Sequence, residues 1–475
     1  MALELYDSKT RTQSPFAPIT PGKVGIYLCG ATVQGAPHIG HVRSSLAFDI
    51  LIRWLRRSGY EVCSIRNVTD IDDKILAKSA EAGWQWWAWA YRFEKEFTAA
   101  YDALGILPPT YEPRATAHIT DMIELIAEII EAGHAYVGKP GNVYFDVASL
   151  GDYGSLTRQS VGNMTVDEDD LEGDKRSPHD FALWKAPKPD EPETASWDSP
   201  WGRGRPGWHL ECSAMAGRYL GDEFDIHGGG IDLRFPHHEN EQAQSHAAGR
   251  GFARVWMHNA WVTVQGEKMS KSLGNSLIVS EILKEVPAPV LRLALGSVHY
   301  RSTIAFSEAT LHEAHANWER LTGFLVRAED TVGPADEEQV AALTAEDFPE
   351  EFRAAMDDDL NVSAALAVIF DHLSKANIAL SERDDVEVAE AQVRLRAMLD
   401  VFGLDPLSAQ WRSEGSPAHD HALEVLVEEM LQRRADARAA KDWSAADGMR
   451  DALQAAGIVV EDGAEGVRWH VRENE

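Results

Sequence analysis

The stretch from Val24 to Ile65 constrains the fold more than any other part of the chain. Val24-Gly-Ile-Tyr-Leu-Cys29 is rich in β-branched and aromatic residues and reads as a short buried strand. Pro37 and His38 then open a segment, Ile39–Ser58, whose apolar positions Val42, Leu46, Ile50, Leu51, Trp54 and Leu55 recur at helical spacing. Gly59 is placed to end that helix, and Tyr60–Ile65 reads as a second strand. Two strands joined through a helix run parallel, so the N-terminal part is expected to be α/β with a parallel sheet.

At about 150 residues per domain, 475 residues suggest about three domains. Hydrophobic residues make up 44% and charged residues 25%, which excludes disorder as the main state. From about Glu112 the signals change. A helix is expected near Thr116–Ala132, followed by Gly/Pro-punctuated chain and a polar, proline-rich loop over Lys185–Trp201. From Trp208 to about Arg301 strand and helix signals alternate again, so the stretch between reads as an insertion. After Ser307 the chain reads as helical to about Phe402, with a loop at Gly333–Pro334 and a linker over Leu407–Pro417. The expected divisions are 1–111 and 207–306 for the two halves of the α/β domain, 112–206 for the insertion, 307–406 for a helical bundle and 418–475 for a final small domain.

No apolar run approaches the roughly 18 residues needed to span a bilayer. Met1-Ala-Leu-Glu-Leu-Tyr-Asp has neither the basic start nor the apolar stretch of a signal peptide, and Cys29, Cys63 and Cys212 are too few for a disulfide framework. A cytoplasmic protein without a membrane partner is expected. Lys and Arg number 45 against 76 Asp and Glu, a net charge of −31 that repels polyanions at long range. The acid is uneven, however. Glu329–Asp359 carries twelve acidic residues and one basic, whereas Leu431–Arg450 carries five basic (Arg433, Arg434, Arg438, Lys441, Arg450) and three acidic. A nucleic-acid role is discouraged by the total but left open by the distribution.

Two familiar patterns fail on context. Gly202-Arg-Gly-Arg-Pro-Gly207 spells G-x-G-x-x-G without a preceding strand, and His238-Glu-Asn-Glu-Gln242 begins like a zincin helix but lacks its second histidine. Pro37-His38-Ile-Gly40-His41 is different. It lies where the first strand hands over to its helix, where free N–H groups and the positive dipole end attract phosphate. Two histidines three apart add donors to the same anion, and Gly40 permits close approach of a flat base; a plain polar helix start with a spacer glycine is the bland alternative. Gly266-Glu-Lys268-Met-Ser-Lys271-Ser-Leu-Gly-Asn275 puts two ammonium groups in a short loop, able to meet a leaving pyrophosphate. Together the two motifs resemble the signature of class I aminoacyl-tRNA synthetases.

His237 and Glu241 are four apart just after Pro236, on one face of an expected helix. With Cys29 at the sheet edge and Cys212 upstream they are metal-ligand candidates, since thiolate, imidazole and carboxylate all bind zinc. Singly, each cysteine is as well explained as a small core residue.

Longer words narrow the resemblance. Leu28-Cys29-Gly30-Ala-Thr32-Val-Gln-Gly-Ala-Pro-His38-Ile-Gly-His41, Arg66-Asn-Val-Thr69-Asp-Ile-Asp-Asp-Lys74, Asp180-Phe-Ala-Leu-Trp-Lys185, Gly207-Trp208-His209-Leu-Glu-Cys212 and Asp225-Ile-His227-Gly-Gly-Gly-Ile-Asp232-Leu-Arg-Phe-Pro-His237-His-Glu-Asn-Glu241 resemble the cysteinyl-tRNA synthetase family over nearly the whole chain. Ala31 and Gln34 depart from it, where many members carry Pro and Tyr. Near the end, Ala437–Asp447 and Gly457–Gly463 resemble the family's anticodon-binding module.

The resemblance implies a Rossmann-type catalytic domain with an insertion, a helical bundle and a small anticodon-binding domain. It implies activation of L-cysteine by ATP with Mg²⁺, then transfer to tRNA(Cys), by a monomer. His38, Gly40, His41, Lys268 and Lys271 would hold ATP, with the two histidines and two lysines acting on the triphosphate as it splits. One Zn²⁺ per chain would sit on Cys29, Cys212, His237 and Glu241 and select the thiol, without need for an editing domain. Gly30, Thr32, Thr69, Trp208, His209 and Asp232 would form the cysteine and adenylate pocket, with Trp208 beneath the side chain. Arg438, Trp443, Asp447 and Asp462 would meet the anticodon. Two alternatives are a ligase that moves cysteine to an aminosugar in mycothiol synthesis and a non-catalytic RNA-binding relative. The first would lack the C-terminal unit and the second would have lost His38, His41, Lys268 or Lys271.

Overall fold

The computed structural model describes residues 2–139, 141–159, 174–264, 277–412, 417–463 and 466–471. A hairpin of β1 (Glu4–Asp7) and β2 (Thr12–Pro15) comes first. Then β3 (Lys23–Leu28), α1 (Ile39–Arg57) and β4 (Glu61–Arg66) form the βαβ unit, with β3 and β4 parallel from Lys23↔Glu61 to Leu28↔Arg66. The apolar stripe of α1 (Val42, Leu46, Ile50, Leu51, Trp54, Leu55) is buried against the sheet and bundle. The helices α2 (Asp73–Glu81), α3 (Trp86–Ala103) and α4 (Ile119–Glu131) follow.

The insertion is an antiparallel sheet of β5 (Ala135–Val137), β6 (Val143–Phe145), β7 (Phe181–Lys185) and β8 (Arg205–Pro206), in that order. The rejected Gly202–Gly207 pattern lies at its edge, where Pro206 costs no ladder bond. The chain then returns through α5 (Trp208–Leu220), β9 (Phe224–Gly230), α6 (His237–Ala247) and β10 (Ala253–Asn259). The described strands give a parallel sheet of order β10-β9-β3-β4. From β3 the chain crosses to β4 on one side, while β9 lies on the other. The crevice beyond the carboxyl ends of β3 and β9 is thus a topological switch point, where open α/β sheets bind ligands. Gly228, paired with Leu28, lets α1 lie close, since a Cβ there would be 1.8 Å from Phe48 Cζ.

Next, β11 (Val262–Val264) pairs in parallel with β12 (Ile304–Phe306), and α7 (Val279–Ile282) and α8 (Ala288–Gly296) lie between them in sequence. The bundle comprises α9 (Glu308–Val332), α10 (Glu337–Ala342), α11 (Glu350–Asp357), α12 (Val362–Glu382) and α13 (Asp385–Val401). Ser307 caps α9 by accepting from Thr310 N, and Gly333, at φ 87°, ends it. One apolar core runs from Leu3 to Leu407, through the catalytic sheet and the bundle alike. Within it Arg292 is fully buried, donating to Phe402 O and Leu104 O (both 2.7 Å) and pairing with Asp49 of α1.

The chain divides into two compact units, Met1–Leu407 and Ser408–Glu475. The second consists of α14 (Pro417–Ala439), α15 (Trp443–Ala455) and an antiparallel hairpin, β13 (Ile458–Gly463) and β14 (Gly466–Val471), around Val427, Leu453 and Ile458. No helix among the described residues is long and apolar enough to cross a membrane.

Candidate active site and metal-ligand cluster

Cys29 leaves the sheet at the end of β3, held by its N–H to Gly228 O (3.0 Å). Cys212 lies one turn into α5, and His237 and Glu241 occupy successive turns of α6. These four side chains are buried, and their ligand atoms all lie within 4.8 Å of one another. Cys29 Sγ is 3.7 Å from Cys212 Sγ and 3.3 Å from Glu241 Oε1, and His237 Nε2 is 3.0 Å from that same oxygen.

Burial opposes charge on all four, and their neighbours decide which keeps it. Burial, together with the Cys212 sulfur, pushes the Cys29 thiol well up. For Cys212 burial is outweighed by the Cys29 hydrogen bond and His237, which bring the thiol down to about 6. Burial would lower His237, but Glu241 and Cys212 raise it to about 10. Burial would raise Glu241, but His227 and His237 hold it well below the usual carboxylate range. Two sulfurs, one imidazole and one carboxylate in a dry pocket form a donor set that fits zinc.

A second group, Cys29, His227, His238 and Glu241, is as close together. It shares Cys29 and Glu241 with the first group. His227 Nδ1 lies 3.0 Å from Tyr27 O and its Nε2 2.7 Å from Glu241 Oε2. His238 Nδ1 meets His258 Nε2 at 2.8 Å. Behind the first group, His209 Nδ1 lies 2.9 Å from His237 Nδ1, and the Trp208 ring stacks on His237 at 4.1 Å. His209 therefore backs a ligand candidate rather than facing open space, and Trp208 walls the cluster.

The helix start at α1 is built by its own histidines. His38 Nδ1 accepts from Gly40 N and His41 Nδ1 accepts from His38 N, both at 3.1 Å, and the rings stack at 3.6 Å. Burial lowers His38, and burial with the neighbouring His38 takes His41 down to about 3. Both rings are therefore neutral at pH 7, with Nδ1 engaged and the proton on Nε2. They offer hydrogen-bond donors to an anion, rather than the cations that two histidines suggest on paper. Phe97 of α3 fixes the His41 ring from the side (5.1 Å).

Around the mouth, Gly30 N donates to Asn67 Oδ1 (2.8 Å), and a Cβ on Gly30 would overlap Asn67 O at 1.6 Å. Thr32 bridges to Thr69. The Thr69 hydroxyl donates to Glu211 Oε2 (2.7 Å), a carboxyl that burial pushes well up. Asp232 is exposed in the turn after β9 and lies near enough to His38 to counter its lowering. At the two positions of departure, Ala31 O accepts from Thr69 N (3.2 Å) and Gln34 O from Trp89 Nε1 (3.0 Å), both through backbone atoms. Lys268 and Lys271 lie outside the described residues. In the second unit Arg438, Trp443 and Asp447 are exposed on α14 and α15, and Asp462 is on β13, paired with Val467. Trp443 is 59% exposed, so it is not that unit's core. Asn67, Glu211 and His227 carry no local pattern that marks them, because the partners that give them a role are distant in sequence.

A parallel sheet with a switch-point crevice, a two-histidine helix start and a helical bundle define a class I aminoacyl-tRNA synthetase. Residues 15–316 match the family model of the tRNA synthetases class I (C) catalytic domain, 351–406 the DALR domain and 420–472 the cysteinyl-tRNA ligase anticodon binding domain. The chain belongs to the cysteine–tRNA ligase family. It is 63% identical over 99% of its length to all of the cysteine–tRNA ligase of Beutenbergia cavernae. It is 53% identical over 99% of its length to 94% of that of Bifidobacterium longum. Its fold is similar to that of Mycobacterium tuberculosis methionyl-tRNA synthetase in complex with methionyl-adenylate, with a TM-score of 0.56 and 18% identity over 81% of this chain and 90% of that one.

Proposed function

We propose that this protein activates L-cysteine with ATP, releasing pyrophosphate, and transfers it to the 3′-terminal adenosine of tRNA(Cys). The observation that carries the reading is the convergence of Cys29, Cys212, His237 and Glu241 in the crevice that the α1 N-terminus overlooks. A zinc held by those four residues supplies a soft Lewis acid that takes a thiolate far better than a hydroxyl. A shape-only pocket separates close analogues by about 10–200-fold, so a thiol-specific contact is what selection against serine and alanine requires.

The remaining steps fall to side chains and backbone. The substrate carboxylate attacks the α-phosphate, so no enzyme nucleophile is needed and rate comes from positioning and charge stabilisation. His38 and His41 donate through Nε2–H to phosphate oxygens at the positive end of α1. Gly30 lets the chain after β3 lie against Asn67, and Gly40 lets the His38 ring fold over the helix start, so both hold the walls of the adenylate site in place. Thr69, fixed by Glu211, and Asp232 offer acceptors for the substrate ammonium. Trp208 closes the pocket against water. Lys268 and Lys271 bring positive charge to the leaving pyrophosphate, with Mg²⁺ bound to the nucleotide.

In the second unit, exposed Arg438, Trp443 and Asp447, with Asp462, support anticodon contact. The matched anticodon domain favours tRNA over an aminosugar as acceptor. The reading implies a cytoplasmic monomer. The test is cysteine-dependent ATP–pyrophosphate exchange, repeated with serine, followed by charging of purified tRNA(Cys). Exchange with serine as fast as with cysteine, or no charging, would overturn it.

A further inference from the structure

The face of β3 turned towards α5 carries a side chain that no step of the reaction has used. Side chains alternate along a strand, so Gly25 and Tyr27 share that face and Cys29 continues it past the strand's end. A Cβ on Gly25 would meet Leu220 of α5 at 3.4 Å, which places α5 over this face. Tyr27 is fully buried. Its ring stands edge-on to that of His227, 5.3 Å away, and lies 6.4 Å from that of Phe224. Its hydroxyl has no hydrogen-bond partner among the described residues. Buried hydroxyls are nearly always paired, so one that is not needs a reason.

The groups that act on this hydroxyl name its surroundings. Burial first, then Cys212, Cys29 and Glu241 in turn, keep the proton on the phenol. An unused donor therefore lies among three of the four proposed zinc ligands. Charge explains the need for it. Zinc ligands bind in their deprotonated forms, so a dication held by two thiolates, a carboxylate and a neutral imidazole leaves the cluster net negative. In a dry pocket such a charge is stable only where hydrogen-bond donors face it. Asn67, a close neighbour of the Cys212 sulfur, cannot be that donor. It presents Oδ1 to the sulfur at 3.6 Å, an orientation fixed by Gly30 N on Oδ1 (2.8 Å) and by Nδ2 on the Thr69 hydroxyl (3.2 Å).

We propose that Tyr27 is a positioning residue of the metal centre, its hydroxyl donating to the Cys212 sulfur when that sulfur is a zinc-bound thiolate. The hydrogen bond draws charge out of the sulfur and leaves more of the metal's attraction for the thiolate of the substrate. This deepens the ligase reading and rests on its zinc site.

The test compares the full chain, wild type and Tyr27→Phe, a change that keeps the ring and removes only the oxygen. Zinc affinity, measured by competition with a chelator, should fall by about 10-fold, the low end of what is lost with a hydrogen bond behind a metal ligand. Thermal unfolding of the metal-free variant should match or exceed that of wild type, because no unpaired hydroxyl remains to be buried. In cobalt-substituted protein the thiolate-to-metal charge-transfer band should move to longer wavelength, since a sulfur without the hydrogen bond releases electron density more readily. The KM for cysteine should rise while that for ATP holds. Unchanged zinc affinity, or equal destabilisation of the metal-free and zinc-loaded forms, overturns the proposal. So does weaker zinc binding with an unshifted charge-transfer band, which would put the hydroxyl on Glu241 instead of sulfur. Failure of the zinc site itself is distinct: wild type would hold no zinc.

Discussion

The sulfurs of Cys29 and Cys212 lie 3.7 Å apart although 183 residues separate them in the chain. The two thiols are within hydrogen-bond contact, both cysteines are free, and His237 and Glu241 lie beside them, so the four together offer a metal its ligands. Purified protein should therefore carry one zinc per chain by metal analysis. Cys29→Ala combined with Cys212→Ser should abolish it, and full zinc content in that variant refutes the ligand set. Without metal, Cys29 and His237 both hold their protons, their titration pushed up. Metal and protons then compete, so zinc affinity should rise with pH, and proton release on uptake is measurable by calorimetry in buffers of different ionisation heat.

Lys271 belongs to the loop motif proposed to bring charge to the leaving pyrophosphate. Lys271→Ala should lower cysteine-dependent pyrophosphate exchange by about 10²-fold or more while leaving the unfolding transition unchanged, as expected of a charge that acts on the reaction. Near-normal exchange in a folded variant removes the loop from catalysis.

Trp443 is 59% exposed at the start of α15, so the unit around Val427, Leu453 and Ile458 does not depend on it. Trp443→Ala should therefore leave thermal unfolding unchanged, where loss of a core aromatic costs about 3–5 kcal/mol. If it stacks on an anticodon base, worth about 1–3 kcal/mol, the KM for tRNA should rise while pyrophosphate exchange stays normal. Removing the chain after about Ala418 should exaggerate that split. Charging by the shortened protein as efficient as by the full chain rules out the anticodon role.

What the sequence made legible follows from range. The βαβ unit is local, and its strand residues and helical stripe lie within one stretch, so β3, α1 and β4 are readable to within a residue or two. His237 and Glu241 are also local, four apart on one helix. Their meeting with Cys29 and Cys212 is not local. It depends on β9 lying beside β3, and spacing alone carries no trace of it. His227 is hidden for the same reason, since its partners Tyr27 and Glu241 lie on other elements. The insertion's strands are too short, at two to five residues, to establish an alternating period. The neutrality of His38 and His41 comes from burial that only the folded helix start creates.

Asp49 gives a prediction about how α1 is held. Its side chain is fully buried, accepting from Arg53 Nε (2.9 Å) and Leu107 N (2.8 Å) and pairing with the equally buried Arg292. Burial alone would raise its carboxyl, but Arg292 and Arg53 outweigh burial and hold it below the ordinary value. Asp49→Asn keeps the shape and removes the charge, stranding Arg292; breaking a buried pair in this way costs about 3–5 kcal/mol. The folded-state titration is depressed relative to the unfolded chain, where an aspartate titrates near about 3.9. Its contribution is therefore fully present above that pH and fades as pH falls below it. Denaturant unfolding at pH 7 should show the full loss for Asp49→Asn. The gap to wild type should narrow steadily below about pH 4, where Asp49 of the unfolded chain begins to take up a proton that the folded protein still refuses. A gap of constant size across that range would mean that the amide fails on packing and that the charge on Asp49 is not what secures α1.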